Sequence, residues 1–148
     1  MTENVRYMLD TNTVSYIIKG NNPSIRERLL EVPMANICIS AITEAELWRG
    51  VAKKPEAIRL KTIVHEFLLR VEVLPWDSVA AKTYAELRTA SEKEGISLGC
   101  MDMLIAAHSK SEDTVLVTND KAFFNIQNLL KLEDFDFADY CYYFVAVE

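Results

Sequence analysis

Residues 5–12, VRYMLDTN, hold an apolar run that passes without a break into an acidic turn. Val5–Leu9 predicts a short buried strand, because an apolar run of this length bounded by polar residues is typical of such strands. Thr11–Lys19 predicts a helix that ends at Gly20, since glycine adopts the left-handed conformation that closes many helices. Asp10 therefore stands where a strand ends and a helix begins.

The same alternation of strand and helix continues along the chain. Further strands are predicted over Ile37–Ser40, Val71–Leu74 and Thr114–Val117. Helices are predicted between them: one that opens at Asn22-Pro23, then Thr43–Ala52, Pro55–Arg70, Asp77–Glu94 and Asp102–Ser109, with a helical turn over Lys121–Phe124. Strands that alternate with helices pair in parallel through right-handed crossovers. The sequence therefore predicts an α/β fold, a doubly wound sandwich.

The bulk composition indicates one globular domain. The chain has 148 residues, of which 50% are hydrophobic and 26% charged, which is ordinary for a folded protein. The N-terminus lacks a basic stretch followed by an apolar one, and no apolar run approaches the ~18–20 residues of a membrane span. The three cysteines, Cys38, Cys100 and Cys141, form no CxxC pair, so neither a disulfide framework nor a zinc site is expected. We expect a cytoplasmic protein with no membrane segment.

Acidic residues follow the predicted strands. Asp10 comes directly after the first strand, Glu46 lies shortly after the second, and Asp120 lies shortly after the fourth. Asp102 stands at the start of the helix that precedes the fourth strand. Ligands in doubly wound folds bind beyond the carboxyl ends of the strands, so these four side chains are expected to converge on one crevice.

Clustered carboxylates favour a hard divalent cation. Several ionised carboxylates within a few ångströms repel one another unless a cation compensates their charge. Oxygen ligands suit Mg²⁺ or Mn²⁺ and not zinc. A metal ion held in this way activates water and stabilises the leaving oxygen of a phosphodiester. The pattern therefore predicts a site for Mg²⁺ or Mn²⁺ whose chemistry suits a phosphodiester.

Each of the four acidic residues also has a purely structural interpretation. Asp10 is a suitable N-cap, and Asp120 is a common type of turn residue. Asp102 complements a helix dipole, and Glu46 completes a possible capping box, Thr43-x-x-Glu46. The coincidence of four such residues at one predicted crevice nevertheless favours a functional site over four separate structural roles.

The remaining candidates for acid–base catalysis are interpreted as solvated or structural residues. Glu44 is expected to be solvated. His65 and His108 sit within helical patterns and lack an evident partner, and His108 is expected to be a structural or surface histidine. The sequence thus offers no catalytic base that competes with the carboxylates.

Four segments together resemble the PIN-domain proteins, and among them the VapC-type toxins. The first segment is 7–12, YMLDTN, and the second is 39–50, ISAITEAELWRG. The third is 99–108, GCMDMLIAAH, and the fourth is 115–120, VLVTND. Each segment alone is weak evidence, but their order and spacing extend over roughly residues 5 to 135 and are specific together.

The resemblance implies a PIN-like three-layer α/β/α sandwich and a Mg²⁺- or Mn²⁺-dependent endoribonuclease. Its metal ligands and catalytic residues would be Asp10, Glu46, Asp102 and Asp120, with Asn12, Thr118 and Asn119 as supporting polar groups. The resemblance also implies a homodimer that is the toxin of a toxin–antitoxin pair, neutralised by an antitoxin whose C-terminal segment reaches the active site. Initiator tRNA, cut in its anticodon stem-loop, is the implied RNA substrate.

The formal charge of −6 argues against nucleic acid when it is taken alone, because phosphate binders are usually basic. Part of that charge, however, lies in the acidic cluster, where bound cations would offset it. Two groups of basic residues are candidates for RNA contact or for solvated faces. The first is Arg49, Lys53 and Lys54, and the second is Lys19, Arg26 and Arg28.

The C-terminal part departs from the PIN pattern. Residues 132–135, LEDF, stand where PIN proteins of this type carry a Leu-x-x-Glu-Asp-Trp-like segment and end soon afterwards. Here the chain continues through an apolar and aromatic stretch at about 136–148. We therefore expect a single PIN domain over 1–148 with an atypical tail, to which we assign no function.

Two rival functions remain. Residues 10–13, DTNT, are close to the Asp-x-Asp-x-Thr motif of haloacid-dehalogenase-like phosphatases, but the second aspartate is replaced by Asn12. The other rival is a binding scaffold, either receiver-like or an inactive PIN domain. A receiver needs an acceptor aspartate after its third strand, where Asp77 instead looks like a helix cap, and an inactive PIN domain would be expected to have lost acidic positions.

Overall fold

The computed structural model describes residues 5–20 and 22–135. Its strands are β1 (Tyr7–Leu9), β2 (Ile37–Ser40), β3 (Glu72–Leu74), β4 (Val115–Val117) and β5 (Leu132–Glu133). Its α-helices are α1 (Thr11–Lys19), α2 (Pro23–Glu31), α3 (Ala41–Lys53), α4 (Ile58–Arg70), α5 (Ser78–Lys93), α6 (Cys100–Ser111) and α7 (Lys121–Phe124). A 3₁₀ turn over Met34–Asn36 precedes β2.

The strands form one sheet in the order β3-β2-β1-β4-β5, and each described pairing is parallel. From β1 the chain builds outward on one side with β2 and β3, then crosses to the other side with β4 and β5. The strand order therefore switches between β1 and β4, and doubly wound folds bind their ligands beyond the carboxyl ends of the strands at such a switch point. Leu9 is in register with Val117, so Asp10 and Thr118 emerge beside each other.

Side chains alternate across the sheet and build a separate core on each face. Met8, Cys38 and Leu116 belong to a core with residues of α5, α6 and α7. Their neighbours Leu9, Ile39 and Val117 belong to a second core with residues of α1, α2, α3 and α4. The fold is thus a three-layer α/β/α sandwich, which confirms the predicted fold class.

Several element bounds differ from the prediction for local reasons. Helix α4 begins at Ile58 and not at Pro55, because the Ala57 amide donates to the Lys54 carbonyl at 2.9 Å and turns the chain there. Helix α6 begins at Cys100, so Asp102 lies in its first turn. Strand β3 begins at Glu72 and not at Val71.

Two further differences concern a strand that was not predicted and a helix cap that was predicted at the wrong residue. Strand β5 was not predicted, because two residues leave no periodicity to detect. Helix α3 begins at Ala41, with Ser40 as its N-cap and the Ile42 amide bonded to the Ser40 hydroxyl oxygen at 3.1 Å. The capping box proposed for Thr43 and Glu46 is therefore wrong. The prediction of Asp77 as a helix cap is confirmed, since it accepts from the Ala80 amide.

Arg28 fastens the last described strand to the sandwich. Its guanidinium pairs with Glu133 at 3.2 Å and lies over the rings of Phe135 and Tyr7, 5.1 Å and 5.7 Å from their centroids. Arg28 is thus committed to an internal cluster, and the prediction that it belongs to a free basic edge is wrong.

No helix within residues 5–20 and 22–135 is long and apolar enough to cross a membrane. The predicted tail at 136–148, and with it Cys141, lies outside the described residues.

Candidate active site

Asp10 is fixed by neutral hydrogen-bond donors at the carboxyl end of β1. Its side chain caps α1 by accepting from the Thr13 amide at 2.8 Å, and the Thr118 hydroxyl is near enough to lower its pKa. Burial raises the pKa of the Asp10 carboxyl, the bonds from Thr118 and Thr13 oppose the rise, and Asp120 adds to it by repulsion. Asp10 does act as a helix cap. A cap alone, however, does not require a carboxylate that is only 3% exposed and that another acid repels.

The pKa of Asp102 is affected by all three of the other acids. It lies half-buried in the first turn of α6. Its pKa is raised first by burial and then by the charges of Asp120, Asp10 and Glu46, in that order. All four predicted acids therefore share one electrostatic neighbourhood, although they come from β1, α3, α6 and the turn after β4.

Asp120 is joined to Asp10 through Thr118. The fully buried Thr118 hydroxyl oxygen accepts from the Asp120 amide at 3.0 Å, and the same hydroxyl lowers the pKa of Asp10. The Asp120 carboxylate caps the short helix α7 through the Ala122 amide at 3.0 Å. The predicted turn role of Asp120 is thus present, together with a position close to Asp102.

Glu46 is held by a residue that the sequence analysis did not select. The Thr11 hydroxyl donates to Glu46 Oε1 at 2.6 Å and lies 3.3 Å from the Thr43 hydroxyl. Thr11 and Glu46 are 35 positions apart, so no local pattern could reveal their contact. The nearest signal was the position of Thr11 beside Asp10.

The other predicted site residues are more exposed and make fewer contacts. Asn12 is exposed and Asn119 half-buried, and neither has a side-chain hydrogen bond among those described. Arg49, Lys53 and Lys54 are exposed at the C-terminal half of α3 and just after it. Their contact with RNA stays a prediction.

The four acids have the right chemistry to bind a hard cation, but their side chains stand too far apart to form a compact ligand set. They offer only oxygen donors, and the repulsion at Asp102 is what a divalent ion would relieve. Within the described part of the chain, no three carboxylate, thiol or imidazole side chains stand close enough together to form a metal-binding group. The donor set therefore fits Mg²⁺ or Mn²⁺, and a bound ion would have to draw the carboxylates together.

A second polar contact links the helices of the site. His108 on α6 is fully buried, and its Nδ1 lies 2.7 Å from the Ser40 hydroxyl. Burial lowers the pKa of this imidazole, and the nearby charges of Glu112 and Asp77 oppose that only in part. The prediction that His108 is structural, and not a free ligand, agrees with this position.

The chain is similar to known proteins in both sequence and structure. The PIN domain family model matches residues 7–129. The chain is 39% identical over 132 residues to Ribonuclease VapC2 of Rickettsia felis, and 35% identical over 130 residues to the tRNA(fMet)-specific endonuclease VapC of Salmonella typhimurium. Each alignment covers 88% of this chain and 98% of the relative.

Solved structures give the same result. The DNA-bound VapBC complex from Salmonella typhimurium contains a chain with a TM-score of 0.81 and 35% identity. The VapBC2 complex from Rickettsia felis, bound to a promoter DNA fragment, contains one with a TM-score of 0.78 and 37% identity. Both alignments cover 88% of this chain and 98% of that chain.

A three-layer sandwich with acidic residues at its switch point, matched over residues 7–129, places the chain in the PIN domain family. Its identity to the named relatives places it, within that family, in the VapC group. Membership of this family favours the nuclease interpretation of Asp10 over the phosphatase that residues 10–13 resemble.

The repulsion at Asp102 predicts that the metal-free protein gains stability when this charge is removed. Because the folded-state pKa of Asp102 is raised, its ionisation destabilises the fold as pH rises above the ordinary value of 3.8. We expect Asp102→Asn in EDTA at pH 7 to raise Tm by about 2–4 °C, which for a chain of this size is about 1 kcal/mol after allowing for solvent screening. Calorimetry at several pH values measures this.

Asp113→Asn is the matched control. Asp113 is exposed at the opposite edge of the sheet, and Lys131 lowers the pKa of its carboxyl, so its loss should give no gain. The Asp102→Asn gain should disappear near pH 4. A lower Tm for Asp102→Asn at pH 7 would contradict the proposed repulsion.

Proposed function

We propose that this protein is the toxin of a toxin–antitoxin pair and acts as a Mg²⁺- or Mn²⁺-dependent endoribonuclease at Asp10, Glu46, Asp102 and Asp120. The observation that carries the proposal is that four acids from separate elements lie at the switch point of the sheet, where Asp120, Asp10 and Glu46 all act on the pKa of Asp102. The named ribonucleases among the relatives support the same chemistry. An RNA substrate also agrees with the expected cytoplasmic location.

The proposed mechanism assigns the ligand roles by position. Asp10, Asp102 and Asp120 repel one another most directly and would hold the cation through their oxygens. When bound, the cation would activate water and stabilise the leaving oxygen of the phosphodiester. Thr13 and Thr118 keep Asp10 oriented without contributing a positive charge. An ion pair at this position would compete with the metal, so neutral donors suit the role.

Glu46 would act from the outer side of the site. Its charge is the weakest of the three that act on Asp102, and Thr11 occupies its Oε1. Its Oε2 would be the oxygen available to a cation or to the attacking water. Thr11 is therefore proposed as the residue that sets the direction of this carboxylate.

We propose structured RNA as the substrate, and initiator tRNA cut in its anticodon stem-loop in particular. The relatives from Shigella flexneri and Salmonella typhimurium are named tRNA(fMet)-specific endonucleases. In this chain, exposed positive charge lies on α3, the helix that carries Glu46, and at its C-terminal end, at Arg49, Lys53 and Lys54. These side chains would contact the RNA backbone. Asn12 and Asn119 would supply further polar contacts.

Cleavage should require both the metal and the acids. Purified protein is incubated with total RNA, initiator tRNA or elongator methionine tRNA, in Mg²⁺, Mn²⁺ or EDTA, and the cut ends are mapped. We expect 5′-phosphate and 3′-hydroxyl ends with the wild type, and a loss of about 100-fold or more with Asp10→Asn or Asp102→Asn, because each removes a charged ligand. Asp113→Asn should remain active.

Different results would count against separate parts of the proposal. Equal cleavage in EDTA, or by Asp102→Asn, would exclude the metal mechanism. Equal cleavage of both tRNAs would exclude only the proposed substrate preference. A phosphoryl group trapped on Asp10 would instead support the phosphatase alternative.

Thr11 should matter through its hydroxyl alone. Thr11→Val keeps the shape of the side chain and removes the donor to Glu46 Oε1, whereas Thr11→Ser keeps the donor. A hydrogen bond to a charged group contributes about 1.5–3 kcal/mol, so we expect Thr11→Val to lower the cleavage rate about 10-fold or more and Thr11→Ser to preserve it. Thr62→Val on α4, where the hydroxyl bonds its own helix backbone, is the control. Equal rates for Thr11→Val and wild type would refute this role.

A homodimer and a cognate antitoxin are the proposed assembly, with the C-terminal segment of the antitoxin reaching the active site. The solved relatives from Rickettsia felis, Salmonella typhimurium and Haemophilus influenzae are VapBC complexes, which supports such a partner. We expect wild-type expression to arrest growth, Asp102→Asn to be tolerated, and a rescuing antitoxin to co-purify with both.

Light scattering on the purified toxin should give twice the chain mass of 16.9 kDa. A single-chain mass would contradict the dimer. Growth arrest by Asp102→Asn equal to that by the wild type would contradict toxicity through RNA cleavage.

A further inference from the structure

We propose that His108 is a positioning residue of this site, which sets the helix carrying Glu46 against the helix carrying Asp102 through its buried hydrogen bond to Ser40. The inference rests on the proposed function, since it assumes that Glu46 and Asp102 act at one metal. It concerns a pair of residues, 68 positions apart, that lies behind the carboxylates.

Ser40 controls the start of α3. It is the last residue of β2, it is fully buried, and its hydroxyl oxygen accepts from the Ile42 amide at 3.1 Å. Because Ser40 is the N-cap, it fixes the direction in which α3 leaves the sheet. Glu46 follows six residues later, about 9 Å along the helix axis, so a rotation at the cap would move its carboxylate.

His108 holds α6 at the matching distance from Asp102. It lies six residues after Asp102, again about 9 Å along a helix, and its Nδ1 is 2.7 Å from the Ser40 hydroxyl. The end of α6 that carries Asp102 has Gly99 as its N-cap and no side-chain capping bond. Besides apolar packing of this helix in the core, two polar contacts hold its middle: the bond of His108 to Ser40 and the Trp76 indole N–H, which donates to the Leu104 carbonyl at 3.0 Å.

The surroundings of His108 favour a directional role over space filling. The imidazole is fully buried on a helix whose preceding residues Ile105, Ala106 and Ala107 are also buried, and an apolar side chain would occupy such a position without the desolvation penalty. Within the described chain, His108 Nε2 makes no well-formed hydrogen bond, and the Pro75 carbonyl is the backbone acceptor that acts on the ring. The bond to Ser40 is the side-chain contact by which this imidazole joins α6 to the start of α3.

Mn²⁺ binding, measured by isothermal titration with the metal alone, tests the proposal without relying on activity. We expect His108→Leu to weaken Mn²⁺ binding about 10-fold or more, the range typical of residues behind metal ligands. His108→Asn, whose amide can reach the position of Nδ1, should keep the affinity within about 3-fold of wild type. In RNA cleavage, His108→Leu should lower kcat and leave KM unchanged.

Ser109→Ala is the matched control. Ser109 is the next residue on α6, equally buried, and bonds Thr114 at 2.8 Å, away from α3. It should lower Tm and leave Mn²⁺ affinity at the wild-type value. If His108→Leu fails to fold, Ser40→Ala takes its place, with Asn22→Ala as the control for a lost helix cap; only Ser40→Ala should weaken Mn²⁺ binding.

The outcomes separate this inference from the proposed function. Wild-type Mn²⁺ affinity in His108→Leu, equal losses in His108→Leu and His108→Asn, or an equal loss in Ser109→Ala would each overturn the positioning role alone. A wild-type protein that neither binds Mn²⁺ nor cleaves RNA would overturn the proposed function and this inference with it.

Discussion

Repulsion among four carboxylates at the carboxyl edge of the sheet is the constraint around which the rest of the structure is arranged. The charges of Asp120, Asp10 and Glu46 disfavour ionised Asp102 in the absence of a cation, and a well-packed scaffold is needed to hold these acids at one edge of the sheet. The two cores, one on each face of the sheet, supply that scaffold. Apolar burial in these layers offsets an electrostatic cost concentrated at one edge.

The side chains that support the site are neutral, and this follows from the same constraint. Thr11, Thr13 and Thr118 hold the carboxylates through hydroxyl and amide donors. The ion pairs found within residues 5–20 and 22–135 lie elsewhere and involve none of the four acids. A lysine or arginine in this position would remove the repulsion and with it the reason for binding a metal. Neutral donors fix geometry and leave the negative charge uncompensated.

Much of this architecture could be predicted from the sequence, because its signals are local. The junction of Leu9 with Asp10 marks a strand end, and Asn22-Pro23 marks a helix start, within a few residues of each. Strand β5 is too short to show a period, and the Thr43-x-x-Glu46 pattern misled because Ser40 caps α3 three residues earlier. The contacts of Thr11 with Glu46 and of His108 with Ser40 span 35 and 68 positions. Such contacts depend on the packing of helices, and no spacing rule encodes them.

The pairing of β1 with β4 has a consequence for the order in which the chain is made. The Thr13 hydroxyl bonds the carbonyl of Val117, a residue 104 positions later, and Asp10 depends on the same strand for its neighbours. A nascent chain on the ribosome therefore carries the first acid long before the strand that completes its surroundings has been translated. The acidic centre therefore assembles only after β4 has been translated, so a nascent chain that stops short of this strand carries Asp10 in an incomplete site.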